Sequence, residues 1–367
     1  MIEFRGVSKT YGEIRAVSGI SFSVEEGEVC VLIGPSGCGK TTTLRMTNRM
    51  LEPTEGDILI GGESVRDASV EALRRGIGYV IQSVGLFPHM SVRDNIGIVP
   101  RLLGWSREER YARAEELLGL IGLEPGQYAL KYPSELSGGE AQRIGVARAL
   151  AANPPIMLMD EPFGAVDPLN REVLQNEFIN LQRKLRKTVI FVTHDLDEAI
   201  RLADRIVIMR DGEIVQHDSP EQILAHPADQ FVRDFVGNDR ALKRLSCFQV
   251  QDYLRDAVLM RREELAETPR SAFTEGVGVV WIRNAEGRLV GMLDERKLNG
   301  DEMLDPARVT AVRPRDVGVR NVSDLREALS RILGQGLKAV PVLDEQDRIL
   351  GEVRLMDIEK LNQEGLD

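Results

Sequence analysis

The sequence feature that most constrains the fold is the stretch GPSGCGKT at residues 34–41. It follows an apolar run, residues 28–33, that is typical of a buried strand, and it leads into residues 41–49, which are typical of a helix. Glycines between a strand and a helix let backbone N–H groups converge on phosphates at the positive end of the helix. The pattern therefore predicts a phosphate-binding loop in a parallel α/β sheet.

The polar residues of this loop suit a nucleoside triphosphate. Lys40 can reach the β- and γ-phosphates, and the Thr41 hydroxyl can ligate Mg²⁺. The loop residues expected to bind nucleotide are Gly34, Pro35, Ser36, Gly37, Cys38, Gly39, Lys40, Thr41 and Thr42. We also expect the Cys38 thiol to be open to thiol reagents when nucleotide is absent.

A second apolar strand, residues 156–159, ends in the two carboxylates Asp160 and Glu161. Sheets of this class place ligand-facing groups at the carboxyl ends of their strands. We expect Asp160 to hold Mg²⁺ or its water, and Glu161 to orient and deprotonate an attacking water. The alternative is a strand that exits into a solvated acidic loop. It is disfavoured because Pro162 stops any helix there and the spacing to Lys40 suits the fold.

A third motif, LSGGE at residues 136–140, lies between the other two in the chain. It is predicted to open a helix that runs to about Ala151, which provides further N–H donors and a positive dipole end for phosphate. The ordered set of three motifs resembles that of ATPases of the ATP-binding-cassette (ABC) type. The resemblance implies ATP and Mg²⁺ as cofactors.

The resemblance also implies further site residues. Gln82 resembles the Q-loop glutamine that senses Mg²⁺ and the membrane partner. His194 resembles the switch histidine that contacts the γ-phosphate, so Glu161, His194 and Gln82 form the expected catalytic set. Tyr11 resembles the aromatic residue that stacks on adenine. The expected metal ligands are Thr41, Gln82 and Asp160.

In this family, the LSGGE segment of one subunit faces the nucleotide of the other, so the resemblance implies a homodimer. Asp167 resembles the D-loop residue that crosses the same interface. The sequence departs from the commonest pattern in having Glu140 rather than Gln and Gly164 rather than Ser. The residues expected to contact the partner's nucleotide are Ser137, Gly138, Gly139 and Glu140.

Composition narrows the class of protein. A length of 367 residues predicts at least two domains, and a hydrophobic content of 43% with 29% charged residues suits globular structure. No apolar run approaches the length of a membrane helix, and the first residues have no signal-peptide core. The three cysteines predict reduced thiols, and the net charge of −11 argues against nucleic-acid binding. These features predict a cytosolic chain, and the resemblance implies a peripheral position on the cytoplasmic face of the cell membrane.

The predicted fold class is α/β, with an ABC-type P-loop ATPase domain over residues 1–237. A mainly helical stretch at about 87–150 resembles the helical subdomain that touches the membrane subunits. Asp211 and Gly212 predict a hairpin between two short strands. Residues 238–245 are predicted to be a linker.

An internal repeat with a spacing of 60 residues follows the linker. The matched pairs include Gly276 with Gly336, Val280 with Val340, Arg288 with Arg348 and Gly291 with Gly351. Each copy is predicted to be strand, turn, strand and helix. The repeat resembles a tandem pair of α+β cystathionine-β-synthase-type (CBS) domains, at 246–305 in degenerate form and at 306–367. The alternative is two similar hairpins in a generic α+β domain.

In the CBS pattern each copy ends in G-x-x-[ST]-x-x-D, where the hydroxyl contacts a phosphate and the Asp holds a ribose. The second copy keeps Asp357, but Arg354 replaces the hydroxyl residue, and the first copy loses both. At most one adenosine-type site is therefore expected. The alternatives are a salt-sensitive contact with anionic lipid through a basic strip and a solvated loop. That strip consists of Arg308, Arg313, Arg315 and Arg320.

An ABC ATPase with a carboxy-terminal CBS pair resembles the ATPase subunits of importers for glycine betaine, choline, carnitine or proline betaine. Asn48 and Arg49 form a pair seen in that subfamily. The resemblance implies transmembrane permease subunits and, indirectly, an external substrate-binding protein. Two alternatives stay open: an amino-acid or polyamine importer, and a nucleotide-binding sensor without ATPase activity.

Overall fold

The computed structural model describes residues 1–82, 85–164, 166–273, 277–298 and 303–363. The chain divides into two compact units. The first comprises Met1–Ile223 with Pro227–Phe235, and the second comprises Leu224–His226 with Val236–Asp367.

The described strands of the first unit form two sheets. They are β1 (Ile2–Tyr11), β2 (Ile14–Val24), β3 (Val29–Ile33), β4 (Glu55–Ile60), β5 (Glu63–Ser64), β6 (Ile77–Val80), β7 (Ile156–Asp160), β8 (Thr188–Val192), β9 (Arg205–Arg210) and β10 (Glu213–Asp218). One sheet is antiparallel, in the order β2-β1-β4-β5. The other has the order β10-β9-β3-β8-β7-β6 and is parallel except for β10.

The central strands of the parallel sheet carry the core. Every residue of β3, β7 and β8 is buried, and their Val, Ile, Leu and Met content suits strands covered on both faces. Leu32 of β3 pairs with Val192 of β8, and Asp160 of β7 pairs with the same valine. The carboxyl ends of these three strands therefore meet at one edge of the sheet.

The described helices up to Val236 lie between or after these strands in the chain. They are α1 (Lys40–Thr47), α2 (Val70–Arg75), α3 (Val92–Ile96), α4 (Ile98–Leu102), α5 (Arg107–Leu120), α6 (Pro125–Tyr128), α7 (Gly138–Leu150), α8 (Pro168–Leu185), α9 (Leu196–Leu202), α10 (Pro220–Ala225) and α11 (Gln230–Val236). Helices α3 to α7 lie between β6 and β7, where the sequence predicts mainly helical structure. None of the helices in the described ranges is both long and apolar enough to span a membrane.

The predicted hairpin at Asp211 and Gly212 is confirmed. It joins β9 to β10, and the two residues have φ angles of 52° and 84°. Two successive positive φ angles are typical of the type I′ turn, whose twist matches that of antiparallel strands. Gly212 tolerates this conformation because it has no Cβ.

The second unit contains two smaller sheets, ordered β11-β12-β13-β14 and β15-β16-β17. Their strands are β11 (Leu259–Met260), β12 (Val279–Arg283), β13 (Leu289–Asp294), β14 (Thr310–Ala311), β15 (Val319–Arg320), β16 (Ala339–Leu343) and β17 (Ile349–Arg354). Its helices are α12 (Arg240–Arg244), α13 (Pro314–Val317), α14 (Leu325–Gln335) and α15 (Leu355–Gln363).

The hairpins β12–β13 and β16–β17 have the same register at a spacing of 60 residues. Ile282 pairs with Gly291, and Val342 pairs with Gly351, with a register shift directly after each pair. Gly276, part of the predicted repeat, lies outside the described residues. The sequence repeat thus corresponds to a structural repeat.

The two copies differ in the element after the hairpin. In the second copy α15 begins directly after β17, as predicted. The helix predicted for the first copy is wrong within residues 295–298, where a short 3₁₀ turn comes after β13. The Asp294 carboxylate accepts hydrogen bonds from the backbone N–H and the guanidinium of Arg296, which favours this tight turn.

The two hairpins contact each other directly. The Trp281 indole Nε1 donates to Glu352 Oε2 at 2.9 Å, and the two residues are 0% and 1% exposed. Backbone hydrogen bonds join the turns, from Leu289 N to Asp347 O at 3.0 Å. The two copies therefore share one hydrogen-bonded interior.

Candidate nucleotide site

The loop between β3 and α1 requires glycine at two positions. Gly34 has a φ of 152°, and a Cβ there would lie 2.1 Å from the carbonyl oxygen of Met209. Gly39 has a φ of 103°, and a Cβ there would lie 2.7 Å from the carbonyl oxygen of Ala16. Substitution at either position would therefore displace backbone, which explains the glycine pattern of the loop.

The Lys40 side chain is held at this loop. It is 7% exposed, and its Nζ donates to the carbonyl oxygens of Gly34 at 2.8 Å and Pro35 at 3.0 Å. These bonds place the ammonium group among the backbone groups of the loop. An ammonium in this position can exchange carbonyl oxygens for phosphate oxygens.

The expected reactivity of Cys38 is wrong. Its side chain is 3% exposed and belongs to the hydrophobic core of the first unit. Burial raises the pKa of the thiol, although the nearby Lys40 ammonium opposes the shift. A buried thiol with a raised pKa is a poor nucleophile, so only the backbone of Cys38 is available for phosphate.

The Asp160 carboxylate lies beside the first turn of α1. Thr41 Oγ1 donates to Asp160 Oδ1 at 3.0 Å, and Arg45 Nη2 lies 3.9 Å from Asp160 Oδ2. Burial raises the pKa of Asp160, and the Thr41 hydrogen bond and Arg45 offset this only in part. A hydroxyl and a carboxylate oxygen fit Mg²⁺, which binds through one or two carboxylates and substrate phosphates. Thr41 and Asp160 could therefore hold the metal.

Arg45 was not predicted from the sequence. It lies four residues after Thr41 and so on the same face of α1, a spacing that could have indicated its approach to Asp160.

Glu161 is the meeting point of three strand ends. Its carboxylate Oε2 accepts a hydrogen bond from Gln82 Nε2 at 2.9 Å and lies 3.4 Å from His194 Nδ1. Its φ is 45°, and its backbone N–H donates to Val192 O at 2.9 Å. Such a backbone conformation is uncommon for a residue other than glycine and recurs at active sites. The predicted catalytic set thus lies together at the ends of β6, β7 and β8.

An open cleft of about 430 Å³ lies over these groups. Its lining residues are Ser36, Gly37, Gly39, Lys40, Thr41, Thr42, Glu161 and His194. Most of the predicted phosphate-binding residues therefore face one space. Tyr11 does not line this cleft; it ends β1 with 45% exposure, and Lys9 Nζ lies 5.1 Å from its ring centroid.

The LSGGE motif forms the start of α7. Ser137 Oγ accepts from the backbone N–H of Glu140 at 3.3 Å, and the Glu140 carboxylate accepts from Ser137 N at 2.7 Å. Tyr128 Oη also donates to Glu140 at 2.6 Å, and these hydrogen bonds lower the pKa of Glu140 to about 2. Glu140 therefore caps the helix, and the spacing of Ser137 and Glu140 is a sequence signature of such a capping box. Ser137 and Gly138 are exposed.

Asp167 precedes α8 and is exposed. Its carbonyl oxygen accepts from Arg171 N at 2.9 Å. Gly164 lies close to Glu161, because a Cβ there would lie 3.5 Å from Glu161 Oε2. Gly164, one of the two positions that differ from the commonest pattern, thus borders the Glu161 carboxylate.

Asn48 and Arg49, which favour one subfamily, have structural roles. Asn48 is 3% exposed, and its Oδ1 accepts from Met50 N at 3.2 Å. Arg49 donates to the carbonyl oxygens of Val65 at 3.2 Å and Ala68 at 2.9 Å. Arg49 therefore ties the end of α1 to the segment before α2, and Asn48 holds the turn that follows α1.

Comparison with known proteins decides the family. Residues 17–164 match the family described as ABC transporter. The osmoprotectant import ATP-binding protein OsmV of Salmonella typhimurium is 43% identical, over 96% of this chain and 94% of that protein. The chain belongs to the ABC transporter family. It is an ATP-binding protein of this family, and its homology implies ATPase activity coupled to transport.

Other ABC transporter proteins are similar over nearly the whole chain. The choline transport ATP-binding protein OpuBA of Bacillus subtilis is 47% identical, over 96% of this chain and 94% of that protein. The carnitine transport ATP-binding protein OpuCA of Listeria monocytogenes is 47% identical, over 96% of this chain and 90% of that protein.

A solved dimeric structure of a bacterial ABC transporter cassette is 37% identical, with a TM-score of 0.54. It matches 60% of this chain and 98% of its own length. The predicted α/β fold of an ABC ATPase is thereby confirmed.

Proposed function

We propose that this chain is the ATP-hydrolysing subunit of an importer for quaternary-amine osmoprotectants such as glycine betaine, choline, carnitine or proline betaine. The observation that carries the ATPase part is the convergence of Lys40, Thr41, Asp160, Glu161 and His194 on one cleft edge. The solute class rests on the functions of the similar osmoprotectant, choline and carnitine proteins.

Each polar group then has a chemical role. The loop amides and Lys40 bind the phosphates of ATP, and Thr41 and Asp160 hold Mg²⁺. The metal, when bound, neutralises charge on the phosphates. A water molecule attacks the γ-phosphorus, its proton passes to the Glu161 carboxylate, and ADP leaves.

Gln82 and His194 position this carboxylate. Both contact Glu161 Oε2, at 2.9 Å and 3.4 Å. His194 is 63% exposed at its side chain, so it can turn from Glu161 to a γ-phosphate. Gln82 donates to Glu161 in this structure, and we propose that it also ligates the metal.

We further propose a homodimer that works on transmembrane permease subunits at the cytoplasmic face of the membrane. The exposed amide end of α7 supports this proposal, because it can bind the nucleotide of a partner subunit. A similar solved cassette is described as dimeric. ATP would favour the closed dimer, and so one permease orientation, because it binds that state better. An external substrate-binding protein would deliver the solute.

For the second unit we propose a regulatory CBS-type pair at residues 246–305 and 306–367. The repeated hairpins support the pair. The expected adenosine-type site has little support, because Asp357 is engaged by Arg255 at 3.1 Å and is 10% exposed at its side chain. Arg354 donates to Glu352 at 2.8 Å and to the carbonyl oxygen of Asp256 at 3.0 Å. Both groups are thus used inside the unit.

The expected basic strip is largely neutralised. Arg308 lies 3.4 Å from Asp305, Arg315 lies 3.8 Å from Asp316, and Arg320 lies 2.8 Å from Asp347. These pairs reduce the positive charge available for anionic lipid. We therefore favour regulation of transport by salt, which would act on exposed ion pairs within the second unit, here called the tail.

The variant Glu161→Gln tests the ATPase assignment. The glutamine keeps an oxygen that can accept from Gln82, but it cannot take a proton from water. We expect hydrolysis to fall about 10²- to 10⁴-fold while ATP binding persists. The matched control is Glu172→Gln, an exposed residue of α8 that should keep its rate. Hydrolysis near the native rate in Glu161→Gln would show that this residue is not the base.

Transport assays test the solute and the tail. With its permease and binding protein in vesicles, the chain should drive ATP-dependent uptake of radiolabelled glycine betaine. Uptake of an amino acid or polyamine in place of every quaternary amine would refute the solute class. Deleting the chain after Asn238 should preserve ATP hydrolysis and flatten the response of transport to internal salt. A full salt response in that truncated protein would exclude the tail as the regulator.

A further inference from the structure

A second cavity, of about 520 Å³, lies beside the first hairpin of the second unit. Its apolar wall includes Ile282 of β12, Val290 of β13 and Val309 before β14. Val290 is 42% exposed, so a large apolar side chain faces open space there. The volume is in the range of small-molecule pockets, which combine apolar walls with a few placed polar groups.

The polar side of this cavity is cationic. Three arginines line it, Arg261, Arg262 and Arg283, against one carboxylate, Glu263. Arg262 donates to the carbonyl oxygen of Pro306 at 3.2 Å. Arg283 Nε is buried and has no hydrogen-bond partner in the part of the chain that the structure describes. A buried donor without a partner is costly, and a shift of the Arg283 side chain toward an anion in the cavity would give this donor a partner.

The internal repeat provides a comparison for these arginines. Strand β15 follows β11 by 60 residues, as β16 follows β12, so the three arginines of the cavity have counterparts in the second copy. The counterparts of Arg261, Arg262 and Arg283 are Asn321, Val322 and Leu343. The hairpin fold therefore forms without arginine at these positions. Three cations at one cavity of one copy indicate a binding function.

We infer that this cavity binds a small amphipathic organic anion. Its carboxylate or phosphate group would lie on Arg261 and Arg283, whose guanidinium groups match the geometry of such oxyanions. Its apolar part would pack against Ile282, Val290 and Val309. The site is separate from the nucleotide cleft and from the ion pairs around Asp357, and it does not depend on the transported solute.

Octanoate is a suitable probe, with octyl phosphate as the phosphate counterpart. Calorimetric titration of the full-length chain with octanoate or octyl phosphate should show one site per chain. Octyltrimethylammonium, of the same chain length but opposite charge, should not bind. Inorganic phosphate should bind at least about tenfold more weakly than octyl phosphate, because it cannot use the apolar wall.

Two variants should weaken binding of the better probe by about tenfold or more. Arg283→Gln removes a charged hydrogen-bond donor, and Val290→Asp places a negative charge on the apolar wall at an exposed position. Arg288→Gln changes an exposed arginine of the same hairpin outside the lining, and it should bind as the native chain does. Thermal unfolding midpoints should show that all three variants are folded.

Several results would overturn the inference. Failure of both octyl anions to bind the native chain would show that the cavity is not such a binding site. Equal affinity in the native chain, Arg283→Gln and Val290→Asp would place the probe elsewhere. Equal affinity for inorganic phosphate and octyl phosphate would refute the amphipathic class, whereas selective binding of one octyl anion would support the site and identify the head group.

Discussion

Replacing Asp160 with asparagine should have opposite effects on the free protein and on its nucleotide complex. In the free protein, the buried carboxylate has a raised pKa, with burial as the largest cause. Its pKa in the folded state therefore lies above the unfolded value of 3.8, so the ionised group destabilises the fold at neutral pH. Asparagine removes the charge and keeps an oxygen that can accept the hydrogen bond from Thr41. In the native protein this bond joins Thr41 Oγ1 to Asp160 Oδ1 at 3.0 Å.

The size of each effect can be worked from these contacts. Relief of the buried charge, less the weaker bond to Thr41 and the lost attraction to Arg45, should stabilise the free protein by about 1 kcal/mol. That gain raises the melting temperature of the first unit by about 2–4 °C. MgATP at a hundred times its Kd should stabilise the native protein by about 2.7 kcal/mol, or about 5–11 °C. The Asp160→Asn protein should show little of this increase in melting temperature on addition of MgATP.

Differential scanning fluorimetry with and without MgATP measures both shifts. Asp67→Asn, at an exposed position, is the control and should leave both unchanged. A lower melting temperature of the free Asp160→Asn protein would show that the carboxylate is stabilising, opposite to the expected sign. A full MgATP shift in Asp160→Asn would remove Asp160 from the metal site.

Two further predictions concern the start of α7. Ser137→Arg should abolish hydrolysis but spare nucleotide binding by the single chain. Mixing this variant with Lys40→Ala gives dimers in which both substitutions lie at one composite site and the other site is intact. Unaffected hydrolysis in Ser137→Arg alone would show that Ser137 does not contact the nucleotide of the partner subunit. Glu140→Gln should remove a pH-dependent part of stability. Because the pKa of Glu140 is lowered from 4.5 to about 2, its ionised carboxylate stabilises the fold at pH values above 4.5. This stabilisation is lost as the pH falls towards about 2. The native protein should therefore lose more thermal stability across this range than the variant, and parallel curves would contradict the cap.

The sequence predicted the parallel strands closely because their apolar runs are uninterrupted. The strand predicted at residues 28–33 spans Val29–Ile33, and the one predicted at 156–159 spans Ile156–Asp160. The site residues could be predicted because they follow these strand ends directly. The positive φ of Glu161 and the burial of Cys38 could not be predicted, because both depend on packing against distant parts of the chain.

Long-range ion pairs limited prediction in the second unit. Asp357 fits a ligand pattern in the sequence, but the structure pairs it with Arg255, far earlier in the chain. A single sequence does not show such a pairing. The first-copy helix was mispredicted for a local reason, because the Asp294 side chain forms a tight turn with Arg296.

The hydrogen bond between Trp281 and Glu352 has a consequence for how the tail can be gained or lost. It is buried, and it joins the two copies of the repeat. A chain that stops between the copies would leave the indole N–H without its acceptor and would expose the strands that the second copy covers. The remaining first copy would then be prone to aggregation and to degradation in the cell. Deletions that shorten this protein in evolution should therefore remove both copies together or neither.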